Sequence, residues 1–528
     1  MGLKHLAMAA LAGTASAKLP KISMKGQKFF YENGTQFFMK GIAYQEEIPN
    51  KGGDTESNEY KDPLADVDLC KRDVPLLEEL GINTIRTYAI NPKADHSGCM
   101  KLLEEAGIYV ISDLSQPALS IKRDAPAWDT DLLQRYTDVV DELVQYQNVI
   151  GFFAGNEVSD ASNNTEASAY VKAALRDTKK HIKDQDYRWM GVGYASNDHP
   201  DIREEIATYF NCGKDEEATD YWGYNIYSWC GKSDMQKSGY SDQAKFFKDY
   251  GVPVFFAEYG CNVPDGAAGR IFQETGALYN DEMTEVFSGG LVYMYHQEEN
   301  DYGVVKITKD GKAEKQDDFK FLKQEHAKAD PKGVEMDDYK ADGSNRETCP
   351  EIGKVWRANS VLPPTPDKSL CDCMVAASEC GPSDSLKPKN YGDIFSYICA
   401  EEPELCTHIN GNATTGVYGA YSMCNAEAKL TYVLGAYAAK VGGSDSCDHD
   451  GKAQSKKDTS GDKCSSALES ASKVNDEVAT ATAVVDASED KAEDDESFGV
   501  LSSPMTSIFS VGLYMTVALG AGAAMVAL

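Results

Sequence analysis

From residue 18 to about residue 330 the chain alternates short apolar runs with longer amphipathic stretches. The runs are Phe37–Tyr44, Thr84–Ala89, Ile108–Leu114, Val149–Glu157, Arg188–Ala195, Tyr221–Tyr227, Pro253–Gly260 and Gly289–His296. Runs this long with so little alternation predict strands buried on both faces. Between them, Val67–Leu80, Leu132–Gln147 and Ala167–Lys183 carry helical spacing. Eight strands joined by helical crossovers predict an α/β fold of the (βα)8 barrel type. A doubly wound open sheet is the competing arrangement, but no glycine-rich phosphate loop follows the first strand.

Beyond residue 330 the pattern breaks. Segment 331–370 is charged and irregular, ends in the stiff Val361-Leu362-Pro363-Pro364-Thr365-Pro366, and reads as a linker packed on the barrel. Residues 371–464 form a small cysteine-dense module with helical hints at Asp393–Ala400 and Ala426–Lys440. Held as much by staples as by a core, such a module is a spacer, a brace for the barrel or a carbohydrate-binding unit. Segment 465–497 is rich in Ala, Ser, Asp and Glu and predicts a disordered acidic stalk.

The two ends speak of export. Residues 1–17 combine a charged start, a short apolar run and Ala15-Ser16-Ala17, the pattern of a secretory signal peptide. Residues 498–528 finish in an apolar tail with no charge after Ile508, which predicts a glycosylphosphatidylinositol attachment propeptide. Ser497 is the candidate attachment residue, with Ser502 and Ser503 as alternatives.

The chemistry-bearing residues lie where two predicted strands end. Glu157, in Gly155-Asn156-Glu157, follows the fourth run, and Glu258, in Phe256-Ala257-Glu258-Tyr259-Gly260, closes the seventh. Barrel enzymes work at the C-terminal ends of their strands. Two carboxylates meeting there suit cleavage of a glycosidic bond, one protonating the leaving oxygen and the other attacking the sugar. Asn156 is placed to hold the sugar 2-hydroxyl. Arg86, inside an apolar strand, calls for a carboxylate partner.

Composition narrows the partners. The 528 residues carry a net charge of −32, which excludes nucleic acid and other anionic polymers and is compatible with a neutral glucan. Fourteen cysteines behind a signal peptide predict disulfides and no metal; six lie from Cys70 to Cys349 and eight between Cys371 and Cys464. Asn33, Asn163 and Asn412 each open a glycan-acceptor triplet. No cofactor is called for.

Taken in order, these motifs resemble one family. They are Gly41–Gln45, Arg86-Thr87-Tyr88-Ala89, Asp113-Leu114-Ser115-Gln116-Pro117, the two glutamate strings, Gly223-Tyr224-Asn225-Ile226-Tyr227, Tyr293-Met294-Tyr295 and Cys371-Asp372-Cys373. The chain resembles the fungal Gas/Gel/Phr family of membrane-anchored 1,3-β-glucanosyltransferases, glycoside hydrolase family 72. The resemblance implies that Glu258 is the nucleophile and Glu157 the acid/base of a retaining transfer, with carboxyls about 5–5.5 Å apart. It implies that Arg86 orients Glu258, that Tyr227 helps, and that Gln45, Tyr88, Asp113, Asn156, Tyr227, and Tyr293 or Tyr295 contact sugar.

The same resemblance implies seven disulfides. They are Cys70–Cys99, Cys212–Cys349 and Cys230–Cys261 in the barrel, with Cys371–Cys424, Cys373–Cys464, Cys380–Cys447 and Cys399–Cys406 in the module. The implied activity is opening of an internal β-1,3-glucan bond and transfer of the new end to another glucan chain. The enzyme would work as a monomer on the outer face of the plasma membrane and in the cell wall. An endo-β-1,3-glucanase and a non-catalytic glucan-binding wall protein are the alternative readings. The short, acidic stalk departs from the serine-rich stalk of relatives.

Overall fold

The computed structural model describes residues 19–46, 60–341, 346–442 and 446–492. The expected signal peptide, Ser497 and the propeptide lie outside them.

Eight parallel strands close a barrel: β4 (Met39–Ala43), β5 (Thr84–Thr87), β6 (Tyr109–Asp113), β7 (Val149–Asn156), β8 (Gly191–Ser196), β9 (Trp222–Asn225), β10 (Val254–Tyr259) and β11 (Phe287–Val292). These overlap the eight expected runs with shifted ends: β8 starts at Gly191 and not at Arg188, β11 is Phe287–Val292 where Gly289–His296 was expected, and the first run is split. Phe37 does not belong to the first barrel strand. It ends a three-stranded antiparallel sheet, β1 (Ile22–Lys25), β2 (Lys28–Tyr31) and β3 (Gln36–Phe37), that precedes the barrel. From that sheet Phe29 and Phe37 enter one apolar cluster with Tyr109, Ile150, Phe153, Tyr221 and Phe255. The apolar hairpin seals the N-terminal end of the barrel, so the run Phe37–Tyr44 is continuous for two different reasons.

Inside the barrel the strands need small residues where rings cross. A Cβ on Gly193 would lie 2.3 Å from the Tyr221 ring, which occupies that space. The helices bury one stripe each. In the helix Thr130–Leu143 the buried residues include Leu132, Tyr136, Val139, Val140 and Leu143, the spacing of a helix lying on a sheet. Asp129 caps its first turn by accepting from the amides of Asp131 and Leu132.

The linker is tied down by Cys212–Cys349, by Arg346 Nε on Asp215 Oδ1 at 2.9 Å, and by Arg176 Nη2 on the Pro363 carbonyl at 3.0 Å. The module's helices Tyr391–Glu401 and Ala426–Val441 coincide with the expected ones. The module rests on the barrel and on the linker: Thr130 N donates to Met423 O at 3.1 Å and Asn425 Nδ2 to Asp131 Oδ1 at 3.0 Å, while Asn359 N of the linker donates to Ala413 O at 2.8 Å. All seven disulfides join the pairs that the resemblance implies.

The stalk expectation is corrected. A helix runs from Asp462 to Ala492 where disorder was expected from residue 465. Ala and Lys favour helix, Cys464 staples its first turn to Cys373, and Ala471, Asn475 and Val478 make a buried stripe at helical spacing. Asn475 Oδ1 accepts from the Ala420 amide at 2.9 Å. Composition alone hid this stripe, because only three positions carry it.

Candidate active site

Both glutamates sit where the strand register slips. Pairing of β9 with β10 shifts between Phe256 and Glu258, and pairing of β7 with β8 shifts between Phe153 and Asn156. Such irregularities re-aim side chains at the ends of strands. Glu258 lies within β10, one residue before its end, and is 7% exposed.

Three donors converge on Glu258. Arg86 Nη1 lies 3.2 Å from Oε1, Tyr88 Oη donates to Oε1 at 2.7 Å, and Tyr227 Oη to Oε2 at 2.8 Å. Arg86 is fully buried between the rings of Tyr88 and Phe153, at 4.4 and 4.5 Å from their centroids. Burial opposes its charge, but Asp113, Tyr88 and Glu258 more than offset that and raise its pKa above the ordinary guanidinium value. Asp113 supplies the main pairing, with Nε to Oδ1 and Nη2 to Oδ2 both at 3.0 Å. Arg86 Nη2 also donates to Asn156 Oδ1 at 2.9 Å.

Glu157 is held differently. Just past β7 it adopts φ 49°, a left-handed conformation that costs a non-glycine residue energy and clusters at functional sites. The surroundings enforce it. Its amide donates to Ala195 O at 2.8 Å, its carbonyl accepts from Arg123 Nη2 at 2.7 Å, and the Val158 amide donates to Tyr194 Oη at 2.9 Å. Its carboxyl has one side-chain donor among the described residues, Asn225 Nδ2 at 2.8 Å from Oε1. Burial first, and then the charge of Glu258, push the Glu157 pKa up; the Asn225 amide pulls against them.

A continuous hydrogen-bonded path therefore joins the two carboxyls, running Glu258–Arg86–Asn156–Asn225–Glu157. Asn156 Oδ1 takes two donors from that path, so its Nδ2 is the atom left to meet a ligand hydroxyl.

Around the path stands a group of tyrosines. The Tyr293 ring lies 6.5 Å from Tyr88, 6.4 Å from Tyr227 and 5.3 Å from Tyr302, each edge-on. The two tyrosines left open by sequence both lie beyond the end of β11, and their surroundings separate them. Tyr293 joins this half-buried group, while Tyr295 is fully buried and donates to Asp73 Oδ1 at 2.9 Å. Tyr295 is thus corrected from a sugar contact to a core residue. Asp113 is corrected too, since both its oxygens face Arg86 and it is 3% exposed. Gln45 faces backbone: Oε1 accepts from the Tyr88 and Ala89 amides at 3.1 and 3.2 Å, and Nε2 donates to Lys61 O at 2.6 Å. It braces the loop that carries Tyr88.

Asn225, Tyr302 and Arg123 were not foreseen. Asn225 lies two residues before Tyr227 in a string already singled out, so its place at a strand end was the available signal. Tyr302 and Arg123 lie in loops without periodicity. Asn33, Asn163 and Asn412 are all exposed.

The glucanosyltransferase family profile matches residues 11–330, and an X8 domain profile matches residues 378–454. This chain belongs to the glucanosyltransferase family. A 1,3-β-glucanosyltransferase of Arthroderma benhamiae is 53% identical over 450 residues, which is 84% of this chain and 82% of that protein. The 1,3-β-glucanosyltransferase gas1 of Schizosaccharomyces pombe is 44% identical over 449 residues, 85% of this chain and 81% of the relative. Among solved structures, a mutant Gas2p of Saccharomyces cerevisiae in complex with laminaritetraose and laminaripentaose superposes with TM-score 0.78 at 41% identity. It covers 87% of this chain and 100% of that one. The glucanosyltransferase profile ends where the cysteine-dense part of the chain has yet to begin, and the X8 match falls inside the module.

Proposed function

We propose that this protein opens an internal β-1,3-glucan bond with retention and transfers the new end to the non-reducing end of a second glucan, elongating cell-wall glucan. The observation that carries this is the unequal treatment of two glutamates at one barrel mouth. Glu258 receives three donors, which suits a carboxylate that must attack; Glu157 is half-buried beside a negative charge, which suits an acid.

In the first step a Glu258 oxygen attacks the anomeric carbon while the bond to the departing chain breaks. The Glu157 proton goes to the departing oxygen. The product is a glucosyl ester of Glu258, and its formation removes the charge that had helped keep Glu157 protonated. Glu157 then accepts a proton from the incoming sugar hydroxyl, the hydroxyl oxygen bonds to the anomeric carbon, and Glu258 leaves as carboxylate. Asn156 Nδ2 holds the 2-hydroxyl, and Tyr88, Tyr227 and Tyr293 wall the sugar sites. Well-positioned acceptors reach effective molarities of roughly 10⁵ M or more, enough to outcompete water.

The two chain ends support a secreted protein anchored by glycosylphosphatidylinositol to the outer face of the plasma membrane, with Ser497 as attachment residue. The protein acts there as a monomer. Hydrogen bonds from Thr130 and Asn425 across the junction support a module that braces the barrel.

Incubation with reduced laminarioligosaccharides tests the reading. Products longer than the donor are expected. Shorter products alone would make the protein an endo-glucanase, and no turnover would make it a binding protein.

A further inference from the structure

The hydrogen-bonded path between the glutamates has a polarity that is fixed from one end. A guanidinium can only donate, so the Asn156 atom facing Arg86 Nη2 at 2.9 Å is its oxygen. That oxygen then requires a donor on its other side, so the Asn225 atom 3.1 Å away is nitrogen. The same Asn225 nitrogen lies 2.8 Å from Glu157 Oε1, which must therefore accept. Flipping the Asn225 amide would set an oxygen against two acceptors. The observed orientation has its own cost, because Asn225 is 2% exposed and its Oδ1 is buried without a partner among the described residues. A buried polar atom left unpaired calls for a reason, and the reason lies in what the nitrogen does.

We propose that Asn225 is a positioning residue that fixes where the acid's proton sits: with Oε1 of Glu157 forced to accept, the proton is confined to Oε2. Oε2 then gives the proton to the departing glycosidic oxygen and takes one back from the acceptor hydroxyl. This rests on the acid/base reading of Glu157. Asn225 also sets when the proton leaves. A donor to Oε1 favours the ionised form, against burial and Glu258. The other groups facing Glu157 are Arg86 from β5, Arg123 from the loop before the helix Thr130–Leu143 and Tyr194 from β8. The cations also favour ionisation, whereas Tyr194 gives its oxygen to backbone amides.

The test is the pH dependence of kcat/KM on laminarioligosaccharides for wild type, Asn225→Ala and Asn225→Asp. Asn225→Asp keeps the shape, so it guards against a folding failure of the alanine variant; thermal unfolding and oligosaccharide binding are measured on both. Losing the amide donor moves the alkaline limb up by about one pH unit, the worth of a hydrogen bond to a charged group. It also lowers kcat by about 10- to 100-fold through misplacement of the proton. Asn225→Asp moves the limb at least as far, because it adds a negative charge. Folded, binding-competent variants whose alkaline limb stays at the wild-type position, or moves down, overturn the proposal.

Glu157→Ala separates this from the catalytic reading itself. It is expected to be inactive on glucan yet still glycosylated by laminaribiosyl fluoride, whose leaving group needs no acid. Normal turnover of glucan by Glu157→Ala would overturn the acid/base role and the proposal with it.

Discussion

The two sides of the barrel mouth are built on opposite principles. On the side of β5, β9 and β10, Glu258 is gripped by a guanidinium and two phenols, and the guanidinium is itself clamped by Asp113. On the side of β7 and β8, Glu157 has a strained backbone, a neighbouring negative charge and, among the described residues, one side-chain donor, which reaches it from Asn225 at the end of β9. The first side immobilises a carboxylate and keeps donors on it. The second leaves a carboxyl free to gain and lose a proton. One fold therefore assigns two chemistries to the same residue type through surroundings alone.

Replacing the gripped carboxylate is expected to have the largest effect. Glu258→Gln should lower turnover of laminarioligosaccharides by more than about 10⁴-fold, as removal of a covalent nucleophile does. Oligosaccharide binding, measured by calorimetry, should survive. Comparable turnover in Glu258→Gln would erase the distinction between the two sides.

Next comes Arg86→Met, which strands Asp113 as an unpaired buried charge. The expected loss of unfolding free energy is about 3–5 kcal/mol by denaturant titration. Removing Asp113 as well, in Arg86→Met/Asp113→Leu, should restore much of that stability and none of the activity. If the double variant recovers activity, Arg86 acts as a structural pair to Asp113 and not as a grip on Glu258.

Much of this asymmetry could be read from sequence and some could not. Eight apolar runs counted in order put Glu157 and Glu258 at the ends of the fourth and seventh barrel strands, because doubly buried strands leave a long hydrophobic trace. Arg86 stood out because charge inside such a trace is rare. What escaped depended on which way a side chain turns. Asp113 and Tyr295 sit in motifs as conspicuous as those of Tyr88 and Tyr293, yet pair inward with Arg86 and Asp73. Asn225 escaped because its importance lies in the polarity of a path spanning four strands. The helix from Asp462 escaped for want of a visible apolar stripe.

The grip on Glu258 can also be loosened one donor at a time. Tyr227→Phe and Tyr88→Phe each delete one hydrogen bond to a charged oxygen, and about a 10- to 100-fold fall in kcat/KM is expected for each. The two donors reach different oxygens, Oε2 and Oε1, while Arg86 shares only Oε1. Tyr227→Phe should therefore be the more damaging, since Tyr88 leaves Arg86 behind on its oxygen. Equal losses would mean that the carboxylate rotates to share its donors.

The smallest expected effect concerns the other side, and it concerns pH. Burial, and then the charge on Glu258, raise the pKa of Glu157. Bond opening needs the protonated form, so kcat/KM should fall on the alkaline side as pH passes through that raised value. Glu258→Gln removes the charge while keeping the shape, and so imitates the glycosyl-enzyme ester. In that variant the Glu157 carboxyl, followed by carbon NMR, should titrate at lower pH than in wild type. An unchanged titration would mean that the two carboxyls do not sense each other. The switch from acid to base would then have to come from the incoming sugar, and the asymmetry of the mouth would be one of position without charge.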